Sequence, residues 1–255
     1  MNVVRGIAQW RSQRAAIGGS VGFVPTMGAL HAGHASLVER SRAENGATVV
    51  SIYVNPTQFD QPADLARYPS TLDADLALLQ SLGVDHVLLP TFDEIYPDGF
   101  RYRVEETQFS RELCGAHRAN HFTGVLTVVL KLLNLVRPTR TYFGEKDYQQ
   151  YLLVRDMVRA FFLDVDIVAC PIVREGDGLA RSSRNVRLDA AARVLASQLH
   201  RALSSASDDA QALTDLRRHG LDVEYVVTTH GRRFGAVQMH TRDGSVRLID
   251  NVEVR

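Results

Sequence analysis

Apolar residues recur along this chain in two alternating rhythms. Short β-branched runs at residues 21–25 (VGFVP), 48–54 (TVVSIYV), 84–89 (VDHVLL), 141–143 (TYF) and 165–170 (VDIVAC) have the length of buried strands. Helical patterns lie between them. One begins near His34 and runs to residue 43, and one over 71–82 places Leu72, Leu76, Leu79 and Leu82 at helical spacing. Two more cover 122–136 and 149–162. Strands separated by helices predict an α/β fold with a parallel sheet and crossover helices. Residues 63–109 are rich in Pro, Asp and aromatics, which predicts loops around Pro69 and Pro97.

The order changes near Pro171. A charged, Gly- and Ser-rich segment, REGDGLARSSRNVR at 174–187, interrupts the alternation. Two helical stretches follow, at 189–204 and 208–219, then short strands at 223–228, 236–240 and 246–249. Helices followed by strands suggest a small α+β domain. The expected division is therefore 1–172 and 173–255.

Composition narrows the classes. The 255 residues carry 29 Lys+Arg and 29 Asp+Glu, so the formal net charge is zero, which argues against a nucleic-acid partner held by bulk charge. It leaves room for a local basic pocket. Cys114 and Cys170 make no disulfide framework. The first residues lack an apolar signal core, and the most apolar stretch, 125–136, is too short to span a bilayer. The expectation is a cytoplasmic protein with no membrane partner.

Four segments carry candidate chemistry. PTMGALHAGH, residues 25–34, joins a strand to a helix, where parallel sheets bind ligands. Gly28 and Gly33 permit close backbone approach, and His31 and His34 sit near a helix N-terminus that favours anions. Two imidazoles there suit the phosphates of a nucleotide. No third ligand lies nearby in sequence, so a metal site is not expected. VNPTQF, residues 54–59, offers Asn55 and Gln58 as neutral donor–acceptor groups at a strand end. FGEKDYQQ, residues 143–150, again joins strand to helix. Lys146 can set a charge over phosphates, and Asp147 can orient a nucleotide or cap the helix. DGLARSSRN, residues 177–185, reads equally as a polyphosphate site or as a flexible interdomain linker. The G-x-S-x-G at residues 18–22 precedes a strand instead of following one, so it is no nucleophile elbow. No Walker loop or G-x-G-x-x-G is present.

Taken in order, these segments resemble the pantothenate synthetase (pantoate–β-alanine ligase) family. The resemblance also takes in DLARYPSTLDAD, EIYPDG, HFTGVLTVVLKLLNLVRP and the RLIDN at 247–251, and covers nearly the whole chain. It implies a Rossmann-like, doubly wound parallel sheet of the nucleotidylyltransferase superfamily with a smaller C-terminal α+β lid domain, and usually a homodimer. The implied reaction uses ATP and Mg²⁺. Pantoate forms a pantoyl adenylate with loss of pyrophosphate, and β-alanine then displaces AMP to give pantothenate. By the same resemblance His31, His34, Lys146 and Arg184 are catalytic. Pro25, Thr26, Met27, Gly144, Asp147, Val173, Ser182 and Ser183 join them in binding ATP, and Gln58, Gln150, Asn55 and Tyr68 belong to the pantoate side.

The chain departs from the family pattern at several points. Cys114 stands where the family usually has Glu, Ala119 where it has Pro, and Arg181 where it has a small or apolar residue. The acidic pair sometimes linked to Mg²⁺ reads Asp73-Ala74-Asp75, so no metal ligand is assigned. The C-terminal domain looks shortened between Tyr225 and Arg247. These departures motivate an alternative, a divergent enzyme coupling pantoate or a similar hydroxy acid to a different amine.

Overall fold

The computed structural model describes residues 1–241 and 244–254. Its Cα positions divide into two units, Met1–Glu145 with Gln149–Cys170, and Lys146–Tyr148 with Pro171–Arg255. Up to Cys170 the elements are β1 (Asn2–Val4), α1 (Ile7–Ala16), β2 (Val21–Thr26), α2 (Ala32–Glu44), β3 (Ala47–Ile52), α3 (Pro62–Ala66), α4 (Leu72–Ser81), β4 (His86–Leu88), α5 (Phe92–Ile95), α6 (Cys114–His117), α7 (His121–Val136), β5 (Arg140–Gly144), α8 (Tyr148–Ala160) and β6 (Asp166–Cys170). The six strands are all parallel, in the order β1-β4-β3-β2-β5-β6.

The strand runs are apolar on both sides because both faces of the sheet are covered. Val24, Val50 and Val87 meet Leu37 and Val38 of α2 and Leu79 of α4 in one cluster. On α7, eleven of sixteen residues are buried, so its sequence is apolar nearly all round and not striped. It packs against both β2 and α1. Trp10 of α1 is fully buried and its indole N–H donates to the Leu135 carbonyl at 2.8 Å. Neither β1 nor α1 is foreseen by the hydrophobic pattern. The strand has three residues, and α1 buries Trp10 alone.

β2 pairs with β3 from Val21 to Thr26, but with β5 only at Gly22 and Phe23. The Tyr53 N–H donates to the Thr26 carbonyl, so Thr26 faces β3 and, by alternation, Pro25 turns its ring nitrogen to the other side. A proline in a central strand is tolerated there because the β2–β5 ladder has already ended. From β2 the chain moves outward to β3, and β5 lies on the opposite flank. Their junction is the topological switch point of the sheet, where open α/β folds bind ligands.

The second unit holds α9 (Ala190–Ser205), α10 (Asp209–Arg218) and an antiparallel sheet of β7 (Asp222–Thr229), β8 (Arg232–Thr241) and β9 (Gly244–Glu253). The side chains of Asp189 and Asp208 accept from the Ala192 and Gln211 N–H groups and so start the two helices. Leu199 and Leu203 of α9 and Leu216 of α10 pack on Val237, Met239, Val246 and Leu248 of the sheet. The buried Arg233 guanidinium donates to the Leu203 and Ala206 carbonyls at the end of α9 and pairs with Asp209 at 3.0 Å, so one side chain ties both helices to β8.

Trp10→Ala should empty the space between α1 and α7 and leave the Leu135 carbonyl without its donor. The expected cost is about 3–5 kcal/mol of unfolding free energy, read from urea denaturation.

Candidate active site

The turn after β2 is shaped by a carboxylate from α4. Gly28 and Ala29 both have positive φ, +79° and +49°, which points successive backbone N–H groups inward. The buried Asp75 carboxylate accepts from Ala29 N at 2.9 Å, from Leu30 N at 2.8 Å and from the Thr71 hydroxyl at 3.2 Å. The Thr26 hydroxyl is turned into the sheet. It donates to the Ser51 carbonyl and accepts from Gly28 N.

His31 and His34 begin α2 as a reciprocal cap. His31 Nδ1 accepts from Gly33 N at 3.1 Å, and His34 Nδ1 accepts from His31 N at 3.3 Å. An imidazole whose Nδ1 accepts carries its proton on Nε2, so each neutral ring is a donor through Nε2. The ring centroids are 4.1 Å apart. A Cβ at position 33 would lie 2.9 Å from the His31 ring, so glycine makes the cap fit. The first turn of α2 holds no acidic side chain to offset its dipole.

The turn after β3 is held from three directions. Asn55 is 1% exposed and its amide is fully engaged. Nδ2 donates to Gln58 Oε1 and to the Gly124 carbonyl, while Oδ1 accepts from the Thr57 and Tyr96 hydroxyls. This orients the Gln58 amide with its oxygen toward Asn55. Burial pushes the Tyr96 phenol up to about 12, which keeps it a donor. The Gln58 carbonyl accepts from Arg118 and, at 2.7 Å, from His121 Nδ1. Gly124 lets α7 lie against this turn, since a Cβ there would sit 2.3 Å from the Thr57 carbonyl oxygen. Tyr68 stacks edge-on to Phe59 at 5.6 Å. Gln150 is half-buried on α8, while its neighbour Gln149 is buried and occupied by the Phe109 and Glu112 carbonyls and the Cys114 N–H.

At the end of β5, Gly144 has open space where a Cβ would be, among the described residues. In the second unit, Lys146 and Asp147 lie on the 3-10 turn Glu145–Asp147, their charged groups 3.6 Å apart. The segment read equally as a linker or a polyphosphate site is an ordered hairpin. Arg174 bridges Ala180, Glu175 N donates to Leu179 O, and Arg181 N donates to Val173 O. It runs into Ser182, whose hydroxyl caps the 3-10 turn Ser183–Arg187 by accepting from Arg184 N. Arg181, one of the departures, pairs with Glu175 at 3.0 Å and its charge is answered locally. Cys114 and Cys170 are buried and are not joined in a disulfide. Among the described residues, no group of three His, Cys, Asp or Glu is arranged to hold a metal, and no helix is long and apolar enough to cross a membrane.

Asp75, Tyr96, Arg118 and His121 are absent from the residues expected at the site. Asp75 had a signal. It falls within the Leu72, Leu76, Leu79 stripe, where a carboxylate must be buried and therefore satisfied. The other three act through partners 41 to 63 residues away, which no local pattern reveals.

The pantoate–β-alanine ligase family profile matches residues 1–253. The pantothenate synthetase of Bdellovibrio bacteriovorus is 48% identical over 252 residues, 99% of each chain. That of Legionella pneumophila is 52% identical over 232 residues, 91% of this chain and 90% of its own. Among solved structures, the Francisella tularensis pantoate–β-alanine ligase complexed with β,γ-ATP and β-alanine superposes with a TM-score of 0.93 at 39% identity, covering 99% of this chain and 97% of its own. The Thermus thermophilus pantothenate synthetase gives 0.88 at 43%, covering 99% of both. With the profile spanning the chain and relatives near half identical over almost its full length, the protein belongs to the pantoate–β-alanine ligase family.

Proposed function

We propose that this chain condenses pantoate with β-alanine to pantothenate through a pantoyl adenylate. A pantoate carboxylate oxygen attacks the α-phosphorus of ATP, and the bond to the β-phosphate breaks to release pyrophosphate. The β-alanine amine then attacks the acyl carbon, loses a proton to solvent, and AMP departs. The reciprocal His31–His34 cap at the sheet's switch point carries this reading, because it presents two Nε2 donors in a fixed orientation. Charge that develops on phosphate oxygens is best met by such preorganised donors.

The remaining roles follow the chemistry of each group. Lys146 supplies a point charge and Arg184 a planar fork for phosphates, with Ser182 and Ser183 as hydroxyl or backbone donors. Gly144, with open space where a Cβ would be, and Asp147 are assigned to the ribose. Pro25, Met27 and Val173 form apolar walls. Gln58, its oxygen directed to Asn55, offers Nε2 to the pantoate hydroxyls or carboxylate, and Gln150 acts with it. Asn55 and Thr26 work as positioning residues, since their polar atoms are engaged within the fold. Tyr68 belongs to the same pantoate side. Mg²⁺, which polyphosphates carry with several waters, neutralises charge on the nucleotide when bound. We read the protein as a cytoplasmic homodimer, following the resemblance. The Arg181–Glu175 pair and the buried Cys114 absorb two of the departures that motivated a different amine.

Mass spectrometry of the purified protein with Mg²⁺, ATP and pantoate should give pantoyl adenylate alone, and pantothenate plus AMP once β-alanine is added. No adenylate with pantoate would refute the assignment. Lys146→Ala should slow single-turnover adenylation by about 10²–10³, the scale for one preorganised donor. Asp75→Asn replaces one acceptor oxygen with an NH₂ facing the turn's N–H groups. It should slow the same step by about 10², the effect of misplacing catalytic groups, with little change in the KM for β-alanine. Arg181→Ala should leave kcat/KM within about threefold, because the side chain is answered by Glu175 and a surface pair contributes little.

A further inference from the structure

We propose that the Asp250–Asn251 dipeptide of β9 is the positioning element for both phosphate-directed segments of the second unit, the Lys146 turn and the hairpin leading to Ser182–Arg184. The proposal rests on the roles given above to Lys146 and Arg184. Asn251 is 1% exposed, and its amide bridges two unlike partners. Nδ2 donates to the Lys146 carbonyl at 3.1 Å, and Oδ1 accepts from Arg232 Nη1 at 2.8 Å. A carboxamide meets an acceptor and a donor at once. Aspartate fails on the first and leucine on both.

Arg232 extends the grip. Its guanidinium lies 4.2 Å from the Tyr148 ring centroid and pairs with Glu253 at 3.1 Å. The turn carrying Lys146 is therefore held at two points, at residue 146 by Asn251 and at residue 148 by Arg232. The lysine is 105 residues from Asn251 in sequence. This contact is separate from the packing of α9 and α10 on the three-stranded sheet.

Asp250 does the corresponding work for the hairpin. Its buried carboxylate takes Arg174 in a two-pronged pair at 2.6 and 3.0 Å and also accepts from Asn251 N. Arg174 in turn donates to the Gly178 and Asn251 carbonyls, closing the hairpin onto β9. Gly178 has φ +91°, and a Cβ there would lie 2.7 Å from the His200 ring, itself 3.6 Å from Asp250. The hairpin cannot slide without parting these contacts. Two adjacent residues of one strand thus index both segments to a common origin.

The test is a double-variant cycle on the full chain, reading quenched single-turnover formation of pantoyl adenylate from Mg²⁺, ATP and pantoate. Asn251→Ala should lower the rate by about 10–100-fold at saturating ATP. Lys146→Ala/Asn251→Ala should fall within about threefold of Lys146→Ala alone, because Asn251 acts through the lysine. Asn251→Asp keeps the Arg232 contact, loses the donor to Lys146, and should reproduce the cycle if the alanine variant folds poorly. Losses that simply multiply in the double variant overturn the proposal, as does failure of both Asn251 variants to fold, which would make the residue a stability element. A wild-type chain that makes no pantoyl adenylate, or Lys146→Ala at the wild-type rate, overturns the reading on which this one rests and this one with it. Multiplying losses with both of those intact overturn this one alone.

Discussion

β2 pairs with β5 over two residues and with β3 over six. That early parting sets the conditions for the first unit's candidate site. It frees the end of a central strand from its ladder, admits Pro25, and gives the chain room to turn through Gly28 and Ala29 before α2 begins. The released backbone N–H groups cannot be left bare in a buried place, and Asp75 meets two of them. The histidine cap stands on that turn. A parallel sheet forces its turns to carry the chemistry, and here the turn's own hydrogen-bond demand fixes where the imidazoles sit.

Much of this was legible in the chain. Strands covered on both faces have no choice but to be continuous apolar runs, so β2, β3 and β5 stand out, and α7 does too. β1 and α1 do not, because a three-residue strand and a helix burying a single tryptophan leave no period to find. The site divides in the same way. His31, His34, Gln58 and Lys146 lie in motifs with their own local grammar. What holds them comes from far along the chain. Asn55 is met by Tyr96 and Gly124, the Gln58 carbonyl by Arg118 and His121, and the 174–180 hairpin by Asp250. The 177–185 segment looked equally like a linker because Arg174 and Asp250 are 76 residues apart.

Two departures from the family pattern are accommodated by simple means. Arg181 brings a charge and meets Glu175 within the same hairpin. Cys114 takes a buried place, with its N–H held by Gln149. Neither alters the groups to which catalysis is assigned. The Bdellovibrio relative aligns over 99% of both chains, so the two are of similar length.

The saturation of Asn55 matters for inhibitor chemistry. All four hydrogen-bonding positions of its amide are taken by protein atoms. A small molecule built to reach it must first break one of those bonds, a loss of about 1–3 kcal/mol that its own contact only restores. Gln58, by contrast, is held by Asn55 through its amide oxygen. Polar atoms directed at Asn55 should therefore add mass without strength.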